Sequence, residues 1–246
     1  MYLSWIIPAY NEERRIEKTL YEVDAYLMSK NFSGGYEIIV VDSASLDRTA
    51  EIVKKLSPRI FNLSLLSVEN KGKGWAVHEG MLKARGDARI FADADNSVSP
   101  DQLDNFLPLL CLGGKKDNCF DAVIGSIEIE GSTIEEHAQW YRRALGRVSK
   151  LIIRVISGLW EIRDTQRGFK LFSKRAAEAI FPRQTIATWG FDIEVLLIAK
   201  RRGFGTKEVP VKWVNPPDSK VSIGAYVSTF KELLQIKWND FMGRYK

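Results

Sequence analysis

Short apolar runs alternate with longer segments of helical spacing through the first part of the chain. Within residues 12–29, for example, Ile16, Leu20, Val23 and Leu27 recur every three or four positions, which is typical of one buried helix face. Such alternation predicts a parallel sheet with right-handed crossovers. The predicted strands are 2–7, 36–41, 60–68 and 88–92, and the predicted helices between them are 12–29, 47–56 and 74–84.

The second part of the chain is less regular. Its pattern predicts strands at 121–127, 168–172 and 206–213, a long helix at 135–159, and further helices at 190–202 and 226–242. The sequence shows no internal repeat and no Gly- or Pro-rich linker. We therefore expect residues 1–246 to form a single α/β domain, and the apparent lack of a secretory signal favours the cytoplasm.

The composition is that of a globular protein, with 45% hydrophobic and 27% charged residues. The longest run without Asp, Glu, Lys or Arg is residues 1–11, whereas a membrane-spanning helix needs about 20 apolar residues. Cys111 and Cys119 are the only cysteines and have no histidine near them, so we expect free thiols in a reducing compartment. A divalent metal would then need oxygen ligands, which favours Mg²⁺ or Mn²⁺.

Positive charge is concentrated in one segment. The net charge is +5, but residues 137–175 contain ten Lys or Arg side chains against only Glu161 and Asp164. Two interpretations stay open at this point: the segment docks an anionic partner, or it is a well-solvated face.

Candidate chemistry follows the predicted strands, since ligands of parallel sheets bind beyond the carboxyl ends of the strands. Asp42 follows the second strand, and Asp93 and Asp95 form a D-x-D pair after the fourth. Two such carboxylates can hold a cation that bridges the phosphates of a nucleotide. Residues 70–74 (NKGKG) could approach phosphate through glycines and lysines, or could form a plain basic turn.

Taken in order, these motifs resemble glycosyltransferase family 2. They are IPAYNEE at 7–13, VVD at 40–42 with Asp47 and Thr49, N-x-G-K-G at 70–74, and D-A-D at 93–95. The segment 164–172 (DTQRGFKLF) looks like the DTQCGFKxF signature of the dolichyl-phosphate glucosyltransferase branch. FDIE at 191–194, EVPVKW at 208–213 and SKV at 219–221 extend the resemblance.

The resemblance implies a GT-A fold with a mostly parallel sheet, flanking helices and a C-terminal amphipathic, interfacial helical part. It implies an inverting, metal-dependent hexosyltransferase that uses Mg²⁺ or Mn²⁺ and moves glucose from UDP-glucose to a polyprenyl (dolichyl-type) phosphate. Residues 1–97 would be the nucleotide-binding half and residues 98–246 the acceptor-binding half.

The resemblance also implies roles for individual residues. Pro8, Ala9 and Tyr10 would line the base, Glu12 the ribose and Asp42 the uracil edge; Lys73, Asp93 and Ala94 would contact the nucleotide, and Asp95 with Asp93 would hold the metal. Arg142, Arg143, Arg163, Arg167 and Lys170 would align the acceptor phosphate, and Asp192 would orient the sugar or act as a base.

This chain departs from the family pattern in two places. It has Asp42-Ser43-Ala44-Ser45 where Asp-Asp-Gly-Ser is usual, and Arg167 where cysteine is usual. The first departure affects the contact to the base, and the second adds charge near the acceptor.

The predicted helix over 142–159 is amphipathic. Its cations (Arg142, Arg143, Arg147, Lys150 and Arg154) fall within about 140° of an ideal helix, and its apolar residues (Leu145, Val148, Leu151, Ile152, Val155, Ile156 and Leu159) within the opposite 140° or so. Either the apolar stripe packs on the sheet, or the helix lies on an anionic membrane. Given a lipid-phosphate acceptor, we favour a protein peripheral to the cytoplasmic face of a membrane.

Two other functions are compatible with the sequence. The acceptor could be a saccharide hydroxyl in surface-polysaccharide synthesis, or the chain could be an inactive nucleotide-sugar-binding or membrane-docking module. Nucleic acid is not an expected partner, because the basic segment contains no recognisable nucleic-acid-binding motif.

Overall fold

A seven-stranded sheet forms the centre of the protein. The computed structural model describes residues 1–113, 118–135, 140–214 and 223–246. The sheet consists of β1 (Leu3–Ala9), β2 (Tyr36–Ser43), β3 (Leu63–Val68), β4 (Ala88–Ala92), β5 (Ala122–Ser126), β7 (Phe169–Ser173) and β8 (Thr206–Pro210). Its strand order is β3-β2-β1-β4-β7-β5-β8, and every pairing is parallel except those of β7 with β4 and β5. The expected mostly parallel sheet is confirmed, and it contains strands from both parts of the chain.

Helices cover both faces of this sheet. They are α1 (Ile16–Ser29), α2 (Thr49–Leu56), α3 (Lys73–Lys83), α4 (Trp140–Ser157), α5 (Lys174–Ile180), α6 (Phe191–Arg201) and α7 (Ile223–Phe241), with short 3₁₀ segments at Pro100–Asn105, Leu107–Leu109 and Phe181–Arg183. Because strand side chains alternate, Trp5 and Ile7 face one core layer with α1 and α2, whereas Ile6 faces the other with α3 and α4–α7.

The carboxyl end of β1 continues past the predicted strand end. Pairing with β4 stops at Ile6↔Phe91, whereas pairing with β2 continues to Ala9↔Asp42. Beyond Ile6 the strand therefore has one neighbour instead of two, so Pro8, which has no amide hydrogen, continues it without breaking a ladder on the β4 side.

In the first part of the chain, the helix predicted over 12–29 begins at Ile16 and the strand predicted over 60–68 begins at Leu63. In the second part, two predicted elements were wrong in their extent. Thr133–Glu135 forms a strand, β6, paired with β9 (Lys212–Val214), and the described part of the predicted helix over 135–159 begins at Trp140. The predicted strand over 206–213 is two strands in two sheets. The chain passes between the sheets at Val211, whose amide donates to Ser126 on β5 at 3.1 Å and whose carbonyl accepts from Thr133 on β6 at 3.2 Å. Helix α5 was not predicted; it is only 7 residues long and is capped by the Ser173 hydroxyl, which accepts from the Ala176 amide at 3.2 Å.

The expectation of free thiols was also wrong, because Cys111 and Cys119 form a disulfide with their Cα atoms 5.0 Å apart. Backbone hydrogen bonds bring the two residues together. The Cys111 amide donates to the Phe120 carbonyl at 2.8 Å, and the Phe120 amide donates to the Leu109 carbonyl at 2.8 Å. A sequence separation of eight does not reveal this parallel backbone bridge between Leu110 and Phe120.

Helices α4 and α7 contact each other and pack on the same core layer, α4 through Ile153 and α7 through Leu233 and Ile236. Each helix also has apolar side chains that are exposed. The exposed residues are Leu151, Ile152 and Val155 on α4, and Phe230, Leu234, Trp238 and Phe241 on α7, followed by Met242. The interpretation in which the whole apolar stripe of α4 packs on the sheet is therefore wrong, because Leu151, Ile152 and Val155 are exposed.

The predicted basic side of α4 is only partly described. Lys150 forms an ion pair with Glu128, and the Arg154 guanidinium donates to the carbonyls of Ile162 and Arg163 at 3.1 Å each. The side chains of Arg142, Arg143 and Arg147 lie outside the described residues. Among the parts of the chain that the structure describes, none of the helices combines the length and apolar character that crossing a bilayer requires.

Candidate active site

Three strands end together at the carboxyl edge of the sheet and place the predicted donor residues side by side. Ala9 on β1 pairs directly with Asp42 on β2, and Pro8 precedes Ala9 on the same strand. β4 lies on the other side of β1 and leads into Asp93. The structure thus brings Pro8, Ala9, Asp42 and Asp93 to one edge, as expected for parallel strands.

Asp42 has a buried carboxylate with an unused acceptor. The residue is 5% exposed, and its Oδ1 atom has no hydrogen-bond partner among the described residues. A buried carboxylate oxygen without a donor is costly, so its retention here favours a ligand that supplies the donor. Next to it, the Ser43 hydroxyl donates to the Asn70 carbonyl at 2.7 Å and accepts from the Gly72 amide at 3.0 Å, which ties β2 to the N-x-G-K-G loop.

The chain after β1 folds back over the turn that follows β2. The Asn11 amide donates to the Ser45 hydroxyl at 2.9 Å, and the Glu12 amide donates to the Thr49 hydroxyl at 2.8 Å. Tyr10 is 39% exposed, and the Lys71 ammonium lies 5.8 Å from its ring centroid. The Glu12 carboxylate accepts a hydrogen bond from Arg15. Tyr10 is thus accessible near the edge where Asp42 ends its strand, whereas the Glu12 side chain is partly covered.

The N-x-G-K-G loop is held in place by the segment before α6. The Trp75 amide donates to the Ala187 carbonyl at 3.0 Å, and a Cβ atom at Gly74 would lie 2.7 Å from the Ile186 carbonyl oxygen. Gly72 has a φ of 135°, which favours glycine. The loop places the Lys73 ammonium 2.5 Å from Asp93 Oδ1.

Asp93 sits against the antiparallel strand β7. Its amide donates to the Gly168 carbonyl at 3.1 Å, continuing the β4–β7 pairing beyond Ala92↔Phe169. A Cβ atom at Gly168 would overlap the Asp93 carboxyl group. The glycine of the G-F-K motif is therefore what allows the first acid of the D-x-D pair to occupy this position.

Asp95 uses one carboxylate oxygen to shape the turn after β4. Its Oδ1 atom accepts from the Ser97 amide at 2.9 Å and from the Ser97 hydroxyl at 2.6 Å, while Oδ2 lies 4.0 Å from Arg15 Nη1. Among the described residues, no three His, Cys, Asp or Glu side chains converge on a single cation site. Two carboxylates do fit Mg²⁺ or Mn²⁺ when a diphosphate supplies further oxygens, because such ions commonly bind through one or two carboxylates plus substrate phosphates.

A buried ion pair lies beneath these residues. Lys170 is fully buried, and its ammonium contacts the Asp192 carboxylate and the Arg167 carbonyl, the latter at 2.5 Å. Burial disfavours both charged forms, so it raises the pKa of Asp192 and lowers the pKa of Lys170, and their mutual attraction opposes both shifts. The Lys170 ammonium is thus engaged by Asp192 and by the 167–170 segment itself, and its predicted contact with the acceptor phosphate stays a prediction.

Two of the predicted acceptor cations have described side chains outside this pair. The Arg167 guanidinium stacks over the Trp213 ring at 4.8 Å, and its Nε lies 3.4 Å from Asp164 Oδ2, which holds it next to Gly168. Arg163 is exposed, and its amide donates to Glu208 at 2.9 Å. Arg167 directly precedes Gly168, the residue that lies against Asp93, whereas Arg163 is five residues away from it in the sequence.

Sequence reasoning missed three contributors. Arg15 lies between Glu12 and Asp95, the Trp189 ring lies 5.9 Å from the Lys73 ammonium, and Ala187 supports the loop that carries Lys73. The spacing of Arg15 three residues after Glu12 could have indicated the first contact. Nothing in the local sequence points to the other two, because they depend on long-range packing.

This site and fold define the class of protein. The profile of "Glycosyl transferase family 2" matches residues 4–181, and the chain belongs to that family. A dolichyl-phosphate beta-glucosyltransferase of Trichomonas vaginalis is 37% identical over 243 residues, which cover 96% of this chain and 73% of the relative. The human dolichyl-phosphate beta-glucosyltransferase is 30% identical over 254 residues, covering 99% of this chain and 77% of the relative.

Solved structures agree on the fold. Glucosyl-3-phosphoglycerate synthase of Mycobacterium tuberculosis, crystallised with Mn²⁺, UDP and glucosyl-3-phosphoglycerate, superposes with a TM-score of 0.66 at 18% identity. The match covers 99% of this chain and 79% of that one. The expected GT-A fold is confirmed.

The departure at Ala44 yields a stability prediction. Ala44 has a φ of 55°, the left-handed region where the family usually has glycine. Ala44→Gly should raise the free energy of unfolding by about 1 kcal/mol, because relief of the left-handed strain exceeds the extra entropy of an unfolded glycine. Urea unfolding of the two proteins measures the difference, and a lower stability of the variant would contradict the assignment of strain to this residue.

Proposed function

We propose that this chain transfers glucose from UDP-glucose to a polyprenyl phosphate of the dolichyl type, with inversion at the anomeric carbon. The main support is that relatives named dolichyl-phosphate beta-glucosyltransferase align with nearly the whole chain. The donor residues expected from the motifs also lie at one edge of the sheet. The residue roles below are part of this proposal.

On the donor side, Asp42 would accept a hydrogen bond from the base, with Pro8, Ala9 and Tyr10 lining it. The partnerless Oδ1 atom of Asp42 is the observation that supports this contact. Glu12 would contact the ribose beside Thr49. The ammonium of Lys73 would lie close to the diphosphate, because it already lies at the D-x-D pair.

Asp93 and Asp95 would hold a Mg²⁺ or Mn²⁺ ion, with Ala94 between them close to the nucleotide. Such an ion, when bound, neutralises charge on the departing diphosphate. The solved glucosyl-3-phosphoglycerate synthase was crystallised with Mn²⁺ and UDP. In this chain Gly168 and Ser97 keep the two carboxylates in place.

On the acceptor side, Arg167 would bind the lipid phosphate, with Arg163 and Arg142 as further cations. Trp213 and Asp164 hold the Arg167 guanidinium, which limits the entropy lost when it binds a phosphate. A phosphate at neutral pH is already an anion, so its attack on the anomeric carbon needs no strong general base.

The surroundings of Asp192 favour a phosphate acceptor over a saccharide hydroxyl. A hydroxyl acceptor needs a base to take its proton, and Asp192 is the candidate that the sequence offers. Asp192 is only 2% exposed, and its carboxylate is paired with Lys170. It would therefore serve the site by positioning the Arg167 segment, whose cation faces the acceptor.

The direct test of this function is a transfer assay with purified protein, UDP-glucose and Mn²⁺. Polyprenyl phosphate should be converted into a lipid-linked glucose product, whereas soluble saccharides should not accept glucose. Transfer to saccharide hydroxyls alone would overturn the proposed acceptor, and release of no UDP with any acceptor would support an inactive module.

The charge of Asp95 can be tested separately from its structural role. Asp95→Asn keeps the Oδ1 acceptor for Ser97 but removes the charge, so transfer should fall at least about tenfold without loss of stability. The exposed Asp101, in the following 3₁₀ segment, gives the matched control Asp101→Asn, which should keep the wild-type rate. Equal rates for the Asp95 variant and wild type would remove Asp95 from the metal site.

We further propose that the outward side of α4 and α7 rests on an anionic membrane. We call it the apolar face, comprising Leu151, Ile152, Val155, Phe230, Leu234, Trp238, Phe241 and Met242. Lys231 and Lys237 are exposed on the same helix, so cations accompany the apolar residues as an anionic surface requires. A lipid-linked acceptor would reach the site from this surface.

The variant Trp238→Glu/Phe241→Glu tests the apolar face. The two side chains are 60% and 79% exposed, so the fold should persist, while co-sedimentation with phosphatidylserine vesicles should weaken at least about tenfold. Phe61→Glu is the matched control, because Phe61 is 95% exposed and precedes β3, far along the sheet from β7 and β8. Undiminished sedimentation of the double variant would exclude this surface as the membrane contact.

A further inference from the structure

One lysine already neutralises the first acid of the D-x-D pair. The Lys73 ammonium lies 2.5 Å from Asp93 Oδ1, and a Cβ atom at Gly168 would overlap both oxygens of the same carboxyl group. A metal ion that binds Asp93 therefore competes with an ammonium that already contacts this carboxylate.

The fold holds Lys73 in this position. Lys73 is the first residue of α3, and the flanking Gly72 and Gly74 pack so closely on the 186–187 backbone that neither has room for a Cβ atom. The side chain of Lys73 is only 19% exposed, and its ammonium lies against the Asp93 carboxylate.

We propose that Lys73 is a competing counter-ion of the metal site: it keeps Asp93 neutralised until a nucleoside diphosphate sugar draws the ammonium onto its phosphates. This inference rests on the proposed function for the identity of the donor. Metal alone must displace Lys73 from Asp93 without compensation, whereas a diphosphate that binds with the metal offers the displaced ammonium a new anionic partner.

This arrangement makes metal and donor binding cooperative. If a diphosphate strengthens Mn²⁺ binding by moving Lys73, then Mn²⁺ must strengthen diphosphate binding by the same factor. Free divalent ions would bind poorly to the empty donor pocket, and the donor would recruit its own metal. Lys73 therefore has opposite effects on two affinities, which a purely structural lysine would not have.

The experiment measures Mn²⁺ binding to the full chain by the loss of the free Mn²⁺ electron paramagnetic resonance signal, with and without UDP. Lys73→Met should bind Mn²⁺ alone at least about tenfold more tightly than wild type. The reason is that an opposite charge within about 4–6 Å of a carboxylate changes its affinity for another cation, such as a proton, by tenfold or more. The same variant should bind UDP in the presence of Mn²⁺ more weakly. The factor by which UDP strengthens Mn²⁺ binding should shrink accordingly.

Two further variants keep the test decisive. Lys71→Met removes the same charge from the same loop, but that ammonium lies beside Tyr10, so its affinity for Mn²⁺ alone should stay close to that of wild type. Lys73→Arg retains the cation and should restore weak binding of Mn²⁺ alone. It also covers the case in which the methionine variant does not fold, since the arginine variant should still bind Mn²⁺ alone weakly and cooperatively with UDP.

Equal or weaker binding of Mn²⁺ alone by Lys73→Met would overturn the competition, and so would equal tightening by Lys71→Met. Tight binding of Mn²⁺ alone by Lys73→Arg would overturn it as well. Failure of the proposed donor has a different signature: wild type would show no effect of UDP on Mn²⁺ binding, while the two methionine variants would still differ for Mn²⁺ alone.

Discussion

The arrangement of the site depends on the close approach of Gly168 to Asp93. β7 runs antiparallel between β4 and β5. The residues that precede β7 therefore lie beside the carboxyl end of β4. Without a Cβ at position 168, the Asp93 carboxylate fits against this backbone, and its amide pairs with the Gly168 carbonyl. Because residue 168 is glycine, the segment that carries Arg167 can lie directly against the carboxyl edge of the parallel strands.

Buried polar groups next to the contact between Gly168 and Asp93 hold the 167–170 segment in place. Lys170, two residues after Gly168, is tied to Asp192 on α6, and Asp192 in turn lies close enough to Lys73 to influence its pKa. Such a pair is costly to bury unless both partners are satisfied, and the Arg167 carbonyl supplies a further acceptor for Lys170. The buried pair is thus better explained by positioning of the site than by stability alone.

Local pattern predicted the first half of the chain well, because each strand there is followed by a helix that packs on the same sheet. β4 begins and ends at the predicted residues, and Asp42 and Asp93 lie at the predicted edge. The pattern failed where pairing is long-range: Glu135 belongs to a strand paired with β9, and Cys111 meets Cys119 through a backbone return. It also left open which side of α4 is buried, since helical periodicity identifies an apolar side but not its partner.

The most direct test of the account replaces Gly168 with alanine and measures UDP affinity in the presence of Mn²⁺ by calorimetry. The added Cβ would displace the Asp93 side chain rather than backbone, so the variant should fold while its affinity falls at least about tenfold. Gly146→Ala on α4, where a Cβ would have no neighbour within 4 Å among the described residues beyond its own helix, should bind UDP as wild type does. Unchanged affinity in the folded Gly168→Ala variant would contradict the claim that this contact positions the site.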